Sequence, residues 1–440
     1  MAITREEQDL LVRTGPGTPM GEVFRRYWLP AFLSERLPGP DAPPIAIKLL
    51  GEPLVAFRDT TGRVGILDEA CPHRGASLAY GRCEEGGLRC IYHGWKLDVD
   101  GNVLEAPAER DPKGFASRIK QVSYPTHEAG GLVWIYMGPA ESKPEFPHWR
   151  FCTIPEDHVL PVHYFQDCNY LQAIEGDIDA PHASYLHLDM KAYRDRHIRE
   201  MLPVDFTAFF GFDGAPTGNV MNMPWGLDSV WRYDIEDEEN PGEVRGDVDA
   251  LIVHPFIAPT HSIVAGGGAL GPYIWHAWVP VDDEHHILYY VHYDVEKPMN
   301  AELREQVMEY FGHHKVYKDE DYRPWGNRAN RHLQDRELQR TDSYSGVEGI
   351  AAQDIAITQS QGYILDRTKE HLGAEDVGVT HVRKCLLRAI ASVQNGEDPP
   401  RPTSAEGYAE VDGYVEVVPR GTDWHEVTRD KVRAATPANA

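Results

Sequence analysis

The chain has 440 residues, of which 42% are hydrophobic and 25% are charged, a composition typical of globular proteins. Its formal net charge of −26 argues against nucleic acid and anionic membrane surfaces as partners, because both require clustered lysine and arginine. The charged start, Met1–Asp9, has no apolar signal core, and six cysteines are too few for a disulfide scaffold. We therefore expect a cytoplasmic protein of two main domains with no nucleic-acid or membrane partner.

In chain order, residues 1–25 are predicted to form an N-terminal helical segment. Residues 26–145 contain short β-rich runs separated by turn signals, which predicts a small all-β domain. Residues 146–395 mix helices with long strands, so we predict an α+β domain with an antiparallel sheet. Residues 396–440 form a polar, proline-rich tail. The clearest strand predictions are 45–50, 54–57, 64–67, 131–137, 251–257, 273–279 and 287–293, and the clearest helix predictions are 301–312 and 351–371.

Two short motifs in the β-rich region pair a cysteine with a histidine. They are Cys71-Pro-His73 and Cys90-Ile-Tyr-His93, and 16 residues separate them. A [2Fe–2S] cluster with mixed ligands takes two cysteines on one iron and two histidines on the other, one of each from each of two loops. Cys71, His73, Cys90 and His93 are therefore predicted to bind such a cluster, whose reduction potential the imidazoles would raise.

The main alternative for these four residues is a structural zinc site. Zinc sites of the Cys2His2 type usually have both cysteines in one half and both histidines in the other. Each half here is mixed, which favours the iron–sulfur cluster, although zinc and an unrelated packing of the four side chains stay open at this point. The remaining cysteines lack such spacing and are predicted to be small buried apolar residues; they are Cys83, Cys152, Cys168 and Cys385.

A second motif reads Glu175-Gly-Asp-Ile-Asp-Ala-Pro-His182-Ala-Ser-Tyr-Leu-His187. Two histidines and one carboxylate on one face of Fe(II) leave coordination positions open for O2 and substrate. His182 and His187 are five positions apart and would diverge by roughly 140° on a regular helix. Their convergence on one metal therefore requires a π-bulge or an irregular turn.

The spacing of the second motif does not identify the carboxylate that would complete a metal site. Glu175, Asp177 and Asp179 are candidates within the motif, and a distant residue is the alternative. Asp354 is the preferred candidate, because it lies in the weakly charged stretch 351–362, which predicts a buried helix. An unpaired buried carboxylate is costly, and a bound metal would remove that cost. A helix-capping or ion-paired role for Asp354 is the competing interpretation.

On these motifs the sequence resembles the Rieske aromatic-ring oxygenase family, over roughly residues 5–390. The family motif C-x-H…C-x-x-H corresponds to the two cysteine–histidine halves. Its motif D-x-x-H-x4-H corresponds to Asp179 and the two histidines that follow, and its late aspartate corresponds best to Asp354. The sequence around Gln353 to Gly373 is similar to the phthalate dioxygenase-like branch, which includes aryl O-demethylases.

The resemblance implies an all-β Rieske [2Fe–2S] domain followed by a helix-grip catalytic domain. It implies mononuclear Fe(II) bound by His182, His187 and Asp354, in a homotrimer or a dimer of trimers where each cluster feeds the iron of the next subunit. Asp179 is then not a ligand but bridges His93 of one subunit to His182 of its neighbour. Electrons would come from NAD(P)H through a separate flavin and iron–sulfur reductase, since the chain carries no convincing G-x-G-x-x-G dinucleotide fingerprint.

The resemblance also implies an oxygenase component that uses O2 to dihydroxylate an aromatic, carboxylated substrate. Monooxygenation or O-demethylation by the same sites is the alternative, and a Rieske electron carrier without catalysis or a zinc-stabilised binding module are more distant ones. A carboxylated substrate calls for a cationic residue, for which Arg232 and Arg245 are candidates, with surface salt bridges as their alternative role. Candidates for an aromatic pocket, with core packing as the alternative, are Met221, Met223, Trp225 and Trp231.

Overall fold

The computed structural model describes residues 3–40, 42–190, 216–237, 240, 243–264, 266, 272–316 and 322–428. The helices in these ranges are α1 (Arg5–Val12), α2 (Pro19–Phe24), α3 (Pro112–Ala116), α4 (Tyr170–Ile178), α5 (Ala183–Leu186), α6 (Ala301–Tyr310), α7 (His313–Val316), α8 (Leu338–Thr341), α9 (Ile350–Ser360) and α10 (Val377–Gln394). The strands are β1 (Trp28–Leu33), β2 (Ile45–Leu49), β3 (Glu52–Arg58), β4 (Val64–Asp68), β5 (Arg82–Glu84), β6 (Gly87–Arg89), β7 (Lys96–Leu97), β8 (Val103–Glu105), β9 (Ser123–Tyr124), β10 (Thr126–Ala129), β11 (Leu132–Tyr136), β12 (Val159–Gln166), β13 (Thr217–Met223), β14 (Gly226–Glu236), β15 (Val244–Ile257), β16 (His261–Val264), β17 (Tyr273–Pro280), β18 (His286–Tyr293) and β19 (Tyr414–Pro419).

Local sequence signals start several of these helices. Thr4 accepts from the backbone amide of Glu7 at the start of α1, while the Glu7 side chain accepts from the amide of Thr4. Asn300 caps α6 in a similar way, by accepting from the amide of Leu303. These caps satisfy amides that have no partner within the helix, and α6 begins at the first residue of the predicted stretch 301–312.

The N-terminal part of the chain is built from three small antiparallel sheets. Their strand orders are β1-β11-β10, β2-β3-β4-β9 and β5-β6-β7-β8. Val55, Phe57 and Leu67 are fully buried in a core that also contains Trp95. This arrangement confirms the all-β character predicted for this region.

The second part of the chain is built on one antiparallel sheet of eight strands. Seven follow the order β12-β18-β17-β16-β15-β14-β13, and β19 pairs with β15. Within that last pair, Ala250 lies opposite Val417. The strand β19 belongs to the segment interpreted from sequence as a polar tail, so part of that segment completes the sheet.

Two helices hold α4, which leads into the second histidine motif. The side-chain amide of Gln172 on α4 donates to the carbonyl oxygen of Thr358 on α9 at 3.0 Å. Glu175, also on α4, accepts from Arg367 at 2.7 Å and from Arg383 of α10 at 2.6 Å. Because this buried carboxylate is paired with two guanidinium groups, its burial is compensated and α4 is held firmly.

The cysteines outside the first motif differ in burial. Cys168 and Cys385 are fully buried, as predicted, whereas Cys83 and Cys152 are only partly buried, so that prediction is wrong for these two. Cys83 lies on the edge strand β5, and Cys152 ends a 3-10 turn and packs against the rim of the main core. Among the helices described, none has the length and apolar character needed to cross a lipid bilayer.

Candidate metal centres and substrate cavity

Cys71 and Cys90 begin two loops with the same backbone arrangement. The amide of Gly75 donates to the carbonyl oxygen of Cys71 at 2.8 Å, and the amide of Gly94 donates to that of Cys90 at 3.0 Å. Gly75 and Gly94 have φ angles of +71° and +75°, a conformation that side chains with a Cβ rarely adopt. The two glycines therefore allow both loops to turn tightly beside the cysteine that starts each one.

The side chains of the two loops lie next to one another in pairs, Cys71 with Cys90 and His73 with His93. The thiols of Cys71 and Cys90 are buried, while the imidazoles of His73 and His93 are half-buried, with their ring centroids 4.5 Å apart. The ring of His73 also stacks on Trp95 at 4.8 Å. Burial raises the pKa of the Cys71 thiol to about 11, and the neighbouring Cys90 adds to the effect. A thiolate pair in this position is therefore stable only when metal replaces the protons.

The spacing of the donor atoms distinguishes a cluster from a single zinc ion. Within the described parts of the chain, the set of three side chains whose donor atoms all come within 4.8 Å of one another is His182, His187 and Asp354. The two thiols and two imidazoles of the loops form no such compact set, as four ligands of one zinc ion would. Ligands divided between two irons are more widely spread, so these residues fit a [2Fe–2S] cluster.

An irregular turn brings the two histidines of the second motif together. A 3-10 turn at Ala180–His182 runs directly into the short helix α5, and His187 follows that helix. On a regular helix the two side chains would point about 140° apart. The change from 3-10 turn to α-helix turns them toward each other, and their Nε2 atoms are 3.2 Å apart. The irregular turn that the spacing predicts is therefore present.

Asp354 of α9 completes this group. Its Oδ1 lies 3.2 Å from Nε2 of His187 and 3.6 Å from Nε2 of His182. Neighbouring ligands of an octahedral metal with bonds of about 2.1 Å lie about 3 Å apart, so the three atoms fit one face of such a site. The structure thus brings together the three residues that the sequence analysis selects.

Hydrogen bonds behind the two histidines fix their orientation. Nδ1 of His182 donates to the carbonyl oxygen of Asp179, and Nδ1 of His187 donates to Oε1 of Gln353 at 2.7 Å. Gln353 is in turn held by its own donation to the carbonyl oxygen of Val347 at 2.7 Å. With both Nδ1 atoms engaged, both Nε2 lone pairs face the same point, and the acceptors increase their basicity.

The charges of this group prepare it for a cation. Burial disfavours the ionised form of Asp354, but His187 and His182 outweigh it and hold the pKa of the carboxyl well below its usual value. Burial also disfavours a charged imidazole at His182, yet Asp354 outweighs it and raises the pKa of His182 to about 9. A metal ion would replace that proton as the partner of the carboxylate.

The other carboxylates of the motif lie outside this group. Glu175 is paired with Arg367 and Arg383, and Asp177 accepts from Nδ1 of His276 at 2.8 Å. Asp179 contacts His182 through its backbone oxygen, and burial raises the pKa of its carboxyl to about 6. Asp179 therefore lies beside His182, and its carboxyl does not belong to the group formed by His182, His187 and Asp354.

A cavity of about 160 Å³ opens beside His182, His187 and Asp354. A dry cavity of about 150 Å³ is large enough to bind benzene, so this one fits a single aromatic ring. Its wall is largely apolar, and no lysine or arginine belongs to the described part of the lining. The apolar and aromatic lining residues are Ala173, Ala180, Ala183, Leu188, Trp231, Tyr233, Ile252, Val264, Ile274, Trp278, Leu288, Tyr290, Tyr310, Phe311 and Ile350.

The predicted pocket residues have mixed outcomes. Trp231 lines the cavity, whereas Met221, Met223 and Trp225 pack in or against the core. Neither arginine lines the cavity. Arg232 forms an ion pair with Asp249, and the exposed Arg245 pairs with Asp247 at 3.0 Å, so the salt-bridged alternative is correct for both.

Sequence reasoning missed His254 and His276, which line the cavity from β15 and β17. Both lie in the middle of strands that were correctly predicted as apolar runs. A titratable residue inside such a run is costly to bury without a purpose, and this was the available signal.

Two family descriptions together cover nearly the whole chain. Residues 27–124 match the Rieske [2Fe–2S] domain, and residues 135–440 match the family described as LigXa C-terminal domain like. The fold is similar to that of dicamba monooxygenase bound to dicamba, with a TM-score of 0.57 and 16% identity over 85% of this chain and 99% of that chain. At this level of identity the structural likeness supports the fold alone.

Several curated relatives align over most of their length. The phthalate 4,5-dioxygenase oxygenase subunit of Pseudomonas putida is 35% identical over 99% of this chain and 97% of its own. The tert-butanol monooxygenase / tert-amyl alcohol desaturase oxygenase subunit of Aquincola tertiaricarbonis is 38% identical over 89% and 77%. The 5,5'-dehydrodivanillate O-demethylase oxygenase subunit of Sphingobium sp. is 30% identical over 90% and 82%. The chain therefore belongs to the Rieske non-haem iron oxygenase family, as an oxygenase subunit that uses a [2Fe–2S] cluster, Fe(II), O2 and electrons delivered from NAD(P)H by a partner.

Proposed function

We propose that this subunit dihydroxylates the ring of a small aromatic compound at Fe(II) bound by His182, His187 and Asp354. The observation that carries the proposal is the group of three donor atoms at one end of a largely apolar cavity of single-ring size. The iron, when bound, supplies the activation of O2, and the apolar wall holds the ring beside it and excludes water. Relatives named phthalate 4,5-dioxygenase and 3-chlorobenzoate-3,4-dioxygenase, 35% and 33% identical, support the same reaction.

The proposal assigns the cluster to Cys71, His73, Cys90 and His93. Support comes from their paired loops, their buried thiols and their half-buried imidazoles. A cluster with exposed histidine edges can pass electrons outward through those edges. We expect the protein in the cytoplasm, since its electrons originate from NAD(P)H through a separate flavin and iron–sulfur reductase.

We further propose a homotrimer, or a dimer of trimers, in which Asp179 bridges His93 of one subunit to His182 of the next. Large apolar side chains are exposed beside both sites, and exposed apolar patches of this kind mark association surfaces. Those beside the cluster loops are Tyr80, Ile91 and Tyr92, and those near His182 are Tyr185, Tyr344 and Ile357. Head-to-tail contact would bury both groups together and shorten the path between cluster and iron.

Monooxygenation, including O-demethylation, is the second candidate. Its support is that two relatives of 38% and 30% identity are named as a monooxygenase and an O-demethylase oxygenase subunit. The same three ligands and the same cavity serve either reaction, so the products distinguish them.

The test is to reconstitute the iron-loaded protein with a flavin and iron–sulfur reductase, NADH and 18O2, using benzoate and 4-methoxybenzoate as probes. A cis-diol carrying two 18O atoms supports dihydroxylation. Formaldehyde with a phenol product supports O-demethylation. If fully metallated protein forms neither of these products, the proposal is contradicted. Asp354→Asn is expected to abolish product, and Asp247→Asn, at an exposed carboxylate on β15, serves as the matched control.

A further inference from the structure

Tyr290 on β18 lines the cavity beside the three proposed iron ligands. It lies opposite His276 of β17 in the sheet, and the His276 ring packs edge-on against its ring with centroids 4.1 Å apart. Nδ1 of His276 donates in turn to the carboxylate of Asp177 on α4 at 2.8 Å. Contact with a side chain that is itself hydrogen bonded limits how far the Tyr290 ring can turn, so the ring is held in place within the wall.

The hydroxyl of Tyr290 is open to the cavity. The residue is 3% exposed, and its hydroxyl hydrogen bonds to none of the residues that the structure describes. It is nevertheless not one of the fully enclosed polar atoms without a partner, in contrast to the hydroxyl of the adjacent Tyr289. The small exposed part of Tyr290 therefore includes its hydroxyl. Because polar groups in protein interiors are nearly always paired, this hydroxyl can bond to an atom of whatever molecule fills the cavity.

Two carboxylates determine which charge is tolerated beside this hydroxyl. Burial disfavours the phenolate most, and the charges of Asp354 and Asp177 add to the effect, so the pKa of Tyr290 lies well above its ordinary value. The phenol therefore keeps its proton and can donate it in a hydrogen bond. An anionic substituent beside the hydroxyl would meet the same burial and the same two carboxylates, whereas an uncharged oxygen would not. The position thus favours an ether, hydroxyl or carbonyl oxygen as the acceptor.

We propose that the Tyr290 hydroxyl donates a hydrogen bond to an uncharged oxygen substituent on the aromatic substrate and so fixes how the ring is turned relative to the iron ligands. This inference rests on the proposed function, because it requires an aromatic ring in the cavity. It applies equally to ring dihydroxylation and to O-demethylation. His276 acts here as a positioning residue, since it packs against the ring of Tyr290 and need not touch the substrate.

The test compares two probes, 4-methoxybenzoate and 4-ethylbenzoate, in which a methylene group replaces the ether oxygen. Anaerobic calorimetry on the iron-loaded protein measures both dissociation constants. We expect the wild-type protein to bind the methoxy probe at least about threefold more tightly, as one hydrogen bond between uncharged groups allows. Tyr290→Phe keeps the ring and removes only the hydroxyl, so it should reduce this preference by about three- to tenfold. Tyr289→Phe is the matched control, because it removes the enclosed hydroxyl of the adjacent residue and should keep the wild-type preference.

An equal preference in the wild type and Tyr290→Phe overturns the inference. A Tyr290→Phe variant that weakens both probes alike also overturns it, since the hydroxyl would then bond to a group that the probes share or only support the fold. If Tyr290→Phe does not retain its metals, the wild-type protein decides with a third probe, 4-acetylbenzoate, which carries a ketone oxygen. It should bind 4-acetylbenzoate and 4-methoxybenzoate more tightly than 4-ethylbenzoate, and no preference for either oxygen-bearing probe overturns the inference.

Iron and sulfide are measured before each titration, so that the two proposals can fail separately. Wild-type protein with full metal content that binds none of the probes contradicts the proposed function. Binding of the probes without dependence on the Tyr290 hydroxyl contradicts this inference alone.

Discussion

At the scale of single residues, the hydrogen bonds behind the ligands determine how firmly the proposed iron site is held. His187 donates to Gln353 on α9, and Asp354 follows Gln353 directly in the chain. One turn of α9 thus supplies both a donor atom of the site and the acceptor that orients another donor. A substitution at Gln353 should therefore weaken iron binding through the orientation of His187, although Gln353 is not itself a proposed ligand.

Replacing Gln353 tests this arrangement. Gln353→Ala removes the acceptor of His187, and we expect Fe(II) affinity to fall about 10- to 100-fold, as for other residues that support metal-bound histidines. Gln353→Glu keeps an oxygen acceptor and should retain most of the affinity. Competition with a ferrous chelator measures both, and the cluster absorption should be the same in each. Equal affinity in the wild type and Gln353→Ala would contradict the supporting role.

Asp228 on β14 gives a prediction about pH. Burial raises the pKa of Asp228 to about 7, against a smaller opposing effect of its hydrogen bond from the Trp225 indole at 3.2 Å. The folded protein therefore holds this proton more tightly than the unfolded chain, whose carboxyl has the ordinary value of 3.8. The stability that Asp228 contributes is complete below the ordinary value and is lost as the pH rises through about 7.

Asp228→Asn removes this titration while keeping an acceptor for Trp225. We expect it to raise the melting temperature by a few degrees at pH 8 and by much less at pH 5. Thermal unfolding at the two pH values measures the difference, with the exposed Asp247→Asn as the control. The same increase at both pH values would show that burial of the charge is not the cause.

Much of the candidate site could be predicted at this scale from residue type and spacing. Cys71 and His73, as well as His182 and His187, lie beside their expected partners, and Asp354 lies with the two histidines. Their roles as ligands remain proposals. The spacing within the motif could not exclude Glu175, Asp177 and Asp179, because side-chain direction around an irregular turn depends on tertiary packing, and Asp354 was preferred on its weakly charged surroundings. Sequence reasoning also missed His276, which lines the cavity and donates to the carboxylate of Asp177, 99 positions away in the chain.

At the scale of secondary structure, the ion pairs of α4 connect the metal region to the rest of the domain. Glu175 is buried between Arg367 and Arg383, whose side chains are 0% and 2% exposed. Arg383 also pairs with Glu370 at 2.7 Å. Removing one partner from such a network leaves buried charges uncompensated.

Glu175→Gln should therefore destabilise the protein by about 3 kcal/mol or more, because it leaves the buried Arg367 without a carboxylate and leaves Arg383 with Glu370 alone. Asp366→Asn is the matched control, because its ion pair with Arg5 is exposed and should contribute less than about 1 kcal/mol. Thermal unfolding of metal-loaded protein compares the two variants. Similar small shifts in both would mean that this network contributes little to holding α4.

Buried charged residues and a helix that ends early explain why some elements were not predicted correctly. The helix α10 buries Arg383, which a reading of apolar periodicity assigns to the solvent face. The strand β14 likewise buries Asp228 among apolar residues. The predicted helix at 351–371 ends earlier, at Ser360, where Gly362 adopts a φ of +96°. Elements whose apolar face is regular, such as β17 and β18, were predicted correctly.

At the scale of the whole molecule, the order of the two parts of the fold could be predicted because each motif lies within a region of distinct composition. The pairing of β19 with β15 could not, since strand partners distant in sequence depend on the completed sheet. The surfaces proposed for subunit assembly could not be predicted either, because their residues come together only in the completed fold.

The proposed assembly predicts that two inactive variants complement each other. Cys71→Ser removes the cluster and Asp354→Ala removes the iron, so each variant alone should be inactive. In co-expressed hybrids, about one interface in four joins an intact cluster to an intact iron, which should restore about a quarter of the wild-type activity. Inactive hybrids of verified composition would contradict electron transfer between subunits.

A [2Fe–2S] cluster and a separate mononuclear iron in one chain require a specific metal content. This content is tested by measuring iron, acid-labile sulfide and zinc in anaerobically purified protein, together with the EPR spectrum, for the wild type and Asp354→Ala. We predict about three irons and two sulfides per wild-type chain, with the low-average-g signal of mixed histidine and cysteine ligands. Asp354→Ala should retain about two irons, both sulfides and the same signal. Zinc without sulfide in the wild type, or an undiminished iron content in Asp354→Ala, would contradict the account.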